Sequence, residues 1–565
     1  MNQMTSMRLI EISDRDYTSW TILYNGEINN DYYIDPKEKK LFNGDTFKIE
    51  DDKIVIKNSP IRESSKIYGI LVLGQNKTYG KYKNRPLYKF IPNEKTLPMF
   101  LVPYEQKNNF SKNYKNKYVV VKFENWEDKH PKAKLVDNYG DVSNIEAFYT
   151  YQLNSRGINI PYKSFVNKTK YLEKNKFDIT NLLNTYENIA DHQKENVFTV
   201  DPEGCLDFDD AVSIQKDKKA KYILRIYISN VSIWLDYLNL WNIFSDRVST
   251  IYFPDKNYPM IPTVLSNNLC SLKAGNTRVA FVCEIHINKL KIVDIKYYNA
   301  SIKVEKNYVY EEKDLLTMTD YLRVYNLTIN LNNEKETNYL PCINDSHDVI
   351  AYLMIMMNHV CAKDMGIHKN GLYRSIKLKE DEIENVPEKI RTFVYLLRNS
   401  SGGKYVKYCD EIGHDVLNLE QYIQITSPIR RLVDMLNMIQ FQNNHNIVKW
   451  KNQANQNQFY IKWLERLDYI NEKMKQIKKA QNDCNSLYLC TTNVELLNDL
   501  HDGYIIEKNQ EDTIYNYMVY LYETKMIVKM KNILDLPIYS NHKFKIFVFN
   551  DENSLKQKVK VQMFD

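Results

Sequence analysis

The sequence predicts an α+β chain with small β-barrels towards both ends and a mixed central domain. Three observations predict it. Residues 7–165 are rich in short β-like runs and turns and poor in helix. Residues 198–297 are β-rich but lead into long helical runs at 348–363 and 459–490. Residues 503–565 return to short strands rich in Val, Ile and Tyr. A length of 565 residues suggests about three to five domains.

Each element follows from local pattern. Met7 to Pro60 alternates β-like runs with turns, such as Asn43-Gly44 ahead of Thr46–Ile49. Lys66–Val72, Phe100–Pro103 and Lys117–Phe123 repeat that style, at a spacing that suits small barrels. Lys77, Lys81, Lys83, Arg85 and Lys89 interleave with Tyr79, Tyr82, Tyr88 and Phe90. Cations that track a backbone and rings that stack bases suit a single-strand-binding surface. On its own the segment reads more readily as a solvated hairpin. Residues 160–195 read as a polar linker with a short helix from Asp178 to Ile189. The apolar run Val349–Met357 reads as a buried helix. Trp463, Leu464, Leu467, Ile470, Met474 and Ile477 recur at helical spacing, which predicts one long amphipathic core helix over 459–490.

Composition narrows the class. Hydrophobic residues make up 43%, enough for globular cores. A net charge of +6 is compatible with nucleic-acid binding without selecting it. None of the eight cysteines forms a C-x-x-C pair, so no zinc site is expected, and most lie in apolar runs that read as reduced, buried thiols. The first thirty residues carry no signal-peptide core, and no apolar stretch is long enough to span a bilayer. A soluble intracellular protein, cytoplasmic and without a membrane partner, is expected.

The chemistry concentrates in Thr199–Ala211, which carries Asp201, Asp207, Asp209 and Asp210 beside the β-like runs Val212–Ile214 and Tyr222–Ile228. Carboxylates packed this closely repel one another, and a cation relieves the repulsion. All-oxygen ligands favour Mg²⁺, Mn²⁺ or Ca²⁺. Taken alone, the segment fits a structural Ca²⁺ loop as well as a catalytic site.

Four further segments decide between these. The aspartate stretch resembles D-P-x-x-A-x-D-x-D-D, with Cys205 at the usual Ala. Arg247–Pro254 resembles R-x-x-S-x-Y-x-P, with Thr250 at the usual Ser, and Tyr258–Pro262 carries P-M-x-P. Ser266–Leu272 matches S-x-x-L-C-S-L. Gly413-His414, Tyr422, Thr426–Arg431 and Asp434 match G-H…Y…T-S-P-I-R-R…D. In this order the motifs resemble the RNase II/RNB exoribonuclease family over residues 195–490.

The resemblance implies a shortened cold-shock-like barrel at 1–62, a second at 63–165, a linker at 166–194, an RNB catalytic domain at 195–492 and an S1-like barrel at 493–565. The three barrels would be OB-like and would funnel a single strand towards the aspartates. The implied activity is processive, hydrolytic 3′→5′ degradation of single-stranded RNA to nucleoside 5′-monophosphates. Asp201, Asp207, Asp209 and Asp210 would hold two Mg²⁺ ions, with Mn²⁺ able to substitute. Asp209 is the least dispensable carboxylate, and Arg430 would face the scissile phosphate. Tyr252 would stack on the last base and set product length. Tyr310, Ser427, Arg431, Lys81 and Tyr82 complete the expected RNA contacts. Arg431 could instead pair with Asp434. A free-standing monomer is expected, and the Lys/Asn/Tyr-rich usage suits a viral or parasite source. Tyr352, Ile376, Met438 and Gln481 depart from the family pattern, which bears on the RNA channel and processivity. The alternative is a catalytically weak or inactive RNA-binding protein on the same scaffold.

Overall fold

The computed structural model describes residues 7–28, 33–51, 53–105, 114–174, 178–216, 222–377, 386–401, 403–409, 412–511, 513–551 and 555–564. The chain divides into two compact units, residues 158–479 and residues 1–157 with 480–565.

The first of these is built on a closed barrel of five strands, β1 (Ile189–Asp201), β2 (Asp210–Gln215), β3 (Tyr222–Ser229), β4 (Thr277–Asn288) and β5 (Lys291–Val309). Neighbours run antiparallel except β1 and β5, which pair in parallel and close the ring. Successive strand residues point to opposite faces, and both faces are buried here. Phe198, Val212, Ile226, Phe281 and Ile285 pack with Val349, Leu353, Met356, Met438 and Phe441. The alternate residues Val197, Ala211, Tyr227, Val282 and Ile302 form a second cluster. Dual burial explains why these strands read as near-continuous apolar runs.

Helices α1 (Lys163–Lys174), α2 (Ile179–Thr185), α3 (Thr319–Asn332), α4 (Ser346–Ile367), α5 (Leu432–Asn444), α6 (Gln453–Glu465) and α7 (Leu467–Thr492) accompany the barrel sequence. Two expectations change. The polar stretch after residue 160 is mostly helical, and β1 already begins at Ile189. Its lysines mask one apolar stripe: Phe165 is buried and packs on Phe244 at 5.4 Å. The single helix expected over 459–490 is two, broken at Arg466. That residue donates to Asp246 Oδ1 at 2.6 Å and lies over the rings of Trp463 and Tyr469, a distant partner that periodicity does not reveal.

Among the described residues the other unit holds three OB-type sheets, of five, six and five strands. In the first, Arg8–Ile12, Trp20–Tyr24 and Glu27–Ile28 form a meander, Thr46–Glu50 returns beside Arg8–Ile12, and Lys53–Asn58 pairs with it. The C-terminal sheet repeats this order with Leu500–Glu511, Ile514–Leu521, Met526–Asn532, Asn541–Asn550 and Gln557–Met563. The middle one closes fully: Ile67–Leu71 pairs with both Arg85–Pro92 and Lys117–Asn125, and Lys132–Asp141 meets Phe100–Pro103 in parallel. Core residues of the first two are continuous, with Phe42 stacked on Phe100 at 5.8 Å.

All eight cysteines are free, and Cys270, Cys283, Cys361, Cys484 and Cys490 are buried. Among the described residues no helix is long and apolar enough to cross a membrane.

Candidate active site at the barrel mouth

Strand register gathers the acidic residues. Asp201 ends β1 opposite Val309 of β5, and Asp210 opens β2 opposite Ile228. Tyr310, one residue beyond β5, donates its N–H to Asp201 O at 3.2 Å. All three therefore sit at one mouth of the barrel.

The loop between β1 and β2 is shaped locally. Cys205 N–H donates to Pro202 O at 3.1 Å, closing a turn with Gly204 at φ +77°. The third position of a type II turn requires such a value, which glycine adopts without strain. The rest of the loop is braced by the S-x-x-L-C-S-L motif. Ser271 Oγ donates to Leu206 O (2.8 Å) and accepts from Phe208 N–H (3.1 Å), while Leu272 N–H donates to Phe208 O. Ser229 N–H donates to Asp209 O at 2.8 Å. Ser271 and Ile429 were not singled out from sequence, although both lie inside matched motifs.

Asp209 is 3% exposed. Its Oδ1 accepts from Ile429 N–H at 2.8 Å and its Oδ2 from Arg430 Nε at 3.2 Å. Arg430 is anchored at its other edge, Nη2 donating to Ser427 Oγ at 3.0 Å. Its side chain nevertheless stays 43% exposed, so part of the guanidinium faces solvent. Thr250 N–H and Ser249 Oγ both donate to Arg430 O, tying in the R-x-x-S-x-Y segment. Thr250 Oγ1 accepts from Met260 N–H, so threonine supplies a hydroxyl at the usual serine position.

Arg431 points elsewhere. Its Nη2 donates to the fully buried Asp434 at 2.8 Å, and Asp434 also accepts from Ser427 N–H. Ser427 is itself buried and holds Arg430. Asn358 of α4 braces the same loop, its Oδ1 accepting from Ile425 N–H and its Nδ2 donating to Tyr422 Oη.

Tyr252 Oη donates to Asp207 Oδ2 at 3.0 Å. The Tyr310 ring stands edge-on to His347 at 5.2 Å. The Cys205 thiol lies 3.9 Å from Asp201 and 3.8 Å from Asp207, and burial beside these carboxylates pushes its pKa up, so it stays protonated. Tyr352, Ile376 and Met438 are all buried in the core, and Tyr352 Oη donates to Thr337 O. All three lie in the core and outside the aspartate loop. Lys81 and Tyr82 belong to the other unit, where Tyr82 carries the ammonium groups of Lys83 and Lys132 over its ring.

The electrostatics suit a cation. Burial pushes the Asp201 carboxyl up to about 7 and Asp210 up to about 8, with repulsion from neighbouring aspartates adding to it. Burial also raises Asp209, opposed by the Arg430 guanidinium and the Ile429 amide. Asp201 Oδ2 is buried without a hydrogen-bond partner. An orphaned carboxylate oxygen among three further carboxylates fits a hard divalent cation. Asp201, Asp207, Asp209 and Asp210 are the residues that could hold it.

Comparison with known proteins finds similar domains and a similar fold. Residues 189–323, the barrel, match the RNB domain, and residues 87–150 match the Dis3-like cold-shock domain 2. Ribonuclease R of Chlamydia muridarum is 25% identical over 390 residues, covering 56% of this chain and 56% of that protein. Exoribonuclease 2 of Psychromonas ingrahamii is 27% identical over 322 residues, covering 44% and 49%. The chain spans about half the length of the curated relatives it matches. Mycoplasma genitalium RNase R, solved in complex with ribose-methylated single-stranded RNA, superposes with TM-score 0.67 at 15% identity, covering 98% of this chain and 100% of that one. Yeast Ssd1, described as a pseudonuclease, superposes with TM-score 0.57 at 14% identity, covering 96% and 80%. The resemblance to the RNase II/RNB family thus holds at the level of domains and fold.

Proposed function

We propose that this chain, which carries an RNB domain and a Dis3-like cold-shock domain, is a processive hydrolytic 3′→5′ exoribonuclease. It degrades single-stranded RNA to nucleoside 5′-monophosphates, acting as a cytoplasmic monomer. One observation carries the reading: four carboxylates and an anchored, partly open arginine share one barrel mouth. A phosphate-binding module gains nothing from buried carboxylates facing its ligand unless a cation bridges them. Mg²⁺, or Mn²⁺ in its place, would be held by Asp201, Asp207, Asp209 and Asp210 and would supply water activation and charge neutralisation at the leaving 3′-oxygen.

The chain's own residues do the rest. Arg430, fixed by Asp209 and Ser427, offers its free guanidinium edge to the non-bridging oxygens of the scissile phosphate. Tyr252, held by Asp207, stacks on the terminal base. Tyr310 lines the approach, and Lys81 and Tyr82 bind upstream nucleotides. RNA as partner is supported by the Mycoplasma relative, solved with single-stranded RNA.

The test is a time course on 5′-labelled single-stranded RNA with Mg²⁺, run beside Asp209→Asn. Collapse to a short end product without a ladder is expected, absent in the variant, which still binds RNA. The likeness to Ssd1 favours a second reading, a non-catalytic RNA-binding scaffold. Retained RNA binding with no cleavage in either Mg²⁺ or Mn²⁺ would establish that second reading instead.

A further inference from the structure

A second group of ligating side chains lies away from the aspartate motif, where helices α4 and α5 end. Asp364 and His368 are four residues apart at the end of α4, a spacing that puts them on one face. His368 is the C-cap of α4 and His445 the C-cap of α5. His445 Nε2 lies 2.6 Å from Asp364 Oδ1, and His368 Nε2 lies 3.9 Å from the same oxygen. One ligand atom of each residue falls within 4.8 Å of the other two. In a tetrahedral zinc shell neighbouring ligand atoms stand roughly 3.3 Å apart, given zinc–nitrogen bonds near 2.0–2.1 Å. The two distances to Asp364 bracket that value.

The surroundings hold this arrangement. The His445 ring stacks on Phe441 at 4.7 Å and lies 5.8 Å from Tyr297. Asn370 and Asn444 exchange reciprocal amide hydrogen bonds of 2.8 and 3.0 Å, which fasten the two helix ends together. Both helices present their carbonyl ends, whose partial negative charge favours a cation. A hydrogen bond to Asp364 accounts for His445. His368 faces the same oxygen at 3.9 Å, too long for a hydrogen bond, and its ring stands edge-on to His445 at 5.5 Å, so the three side chains converge on one point.

We propose that Asp364, His368 and His445 bind one borderline divalent cation of the Zn²⁺ class and thereby clamp the end of α4 to the end of α5. Two imidazoles and a carboxylate suit zinc rather than Mg²⁺. The side chains are 20%, 38% and 29% exposed, so water can complete the shell. Cysteine spacing gives no hint of such a site, because its ligands are an aspartate and two histidines, the histidines 77 positions apart in the chain.

The experiment is equilibrium dialysis of the full chain against Zn²⁺ with excess Mg²⁺ present to occupy the aspartate mouth, with thermal unfolding followed in parallel. Wild type, His368→Ala, His445→Ala and Asp364→Asn are compared, their folding checked by circular dichroism. His368 is the most exposed of the three, so its variant is the one least able to disturb the fold. Wild type is expected to bind one more Zn²⁺ per chain than His368→Ala. Zn²⁺ is expected to raise the melting temperature of wild type and not of the variants. Equal stoichiometry and equal melting response in wild type and folded His368→Ala would overturn the proposal, as would absence of bound Zn²⁺ in wild type.

Discussion

Arg430 and Arg431 are sequence neighbours with opposite duties. Arg430 keeps part of its guanidinium open, whereas Arg431 turns inward to a carboxylate with no exposure at all. Substitution should separate them. Arg430→Ala is expected to lower turnover by about 10²–10³-fold, the usual loss when one donor to developing charge is removed, with a smaller change in RNA affinity. Arg431→Ala is expected instead to destabilise the protein by about 3 kcal/mol, since Asp434 loses its charged partner inside the fold. Single-turnover kinetics and thermal melts, run on both variants, check this pair. At Tyr252 the hydroxyl and the ring have different work. Tyr252→Phe should keep the end-product length of wild type, and Tyr252→Ala should lengthen it, because base stacking needs only the ring. Product sizing on a denaturing gel decides it.

At the scale of elements, the aspartate loop has its shape because a neighbouring segment braces it. Ser271 satisfies two backbone groups of that loop. Ser271→Ala should cost about 1–3 kcal/mol by leaving them unpaired, and should raise the Mg²⁺ concentration needed for half-maximal cleavage as the carboxylates lose their placement. Denaturant melts and a Mg²⁺ titration of activity test both parts. The barrel also carries a buried ionic network: Glu284 accepts from Arg225 Nε (2.6 Å), Tyr298 Oη (2.7 Å) and His286 Nε2 (2.8 Å). Burial alone would raise Glu284, but these donors more than offset it and hold the carboxyl down at about 2. A depressed folded pKa stabilises above the unfolded value and is lost as pH falls. Wild type should therefore lose about 3 kcal/mol between roughly pH 4.5 and 2. Glu284→Gln should be less stable at neutral pH and show a flatter acid limb in melts taken across that range.

For the whole molecule, a net charge of +6 is modest, so RNA affinity should come from local clusters rather than from the overall field. Binding should weaken with salt, and Lys81→Ala should reduce the log–log salt slope by about 0.7 if that lysine meets one phosphate of a single strand. An unchanged slope would remove Lys81 from the RNA path. At this scale, motif order along the chain was the strongest signal. The RNB and cold-shock matches fall on the β-rich stretches at 189–323 and 87–150, and the OB-type strand order appears in all three sheets of the unit formed by residues 1–157 and 480–565.

The sequence by itself determined the α+β class, the β-rich and helical stretches and the grouping of Asp201, Asp207, Asp209 and Asp210, because periodicity and local clustering are short-range properties. Only the tertiary structure decided what lies far apart in the chain. It placed Arg430 on Asp209, 221 residues away, and assigned Ser427 to holding that arginine. It broke the long helix at Arg466 for the sake of Asp246, and turned a lysine-rich stretch into a helix by burying Phe165. It also brought His445 onto Asp364. Each of these rests on a contact between distant residues, and a one-dimensional pattern carries no record of which distant partner a side chain will meet.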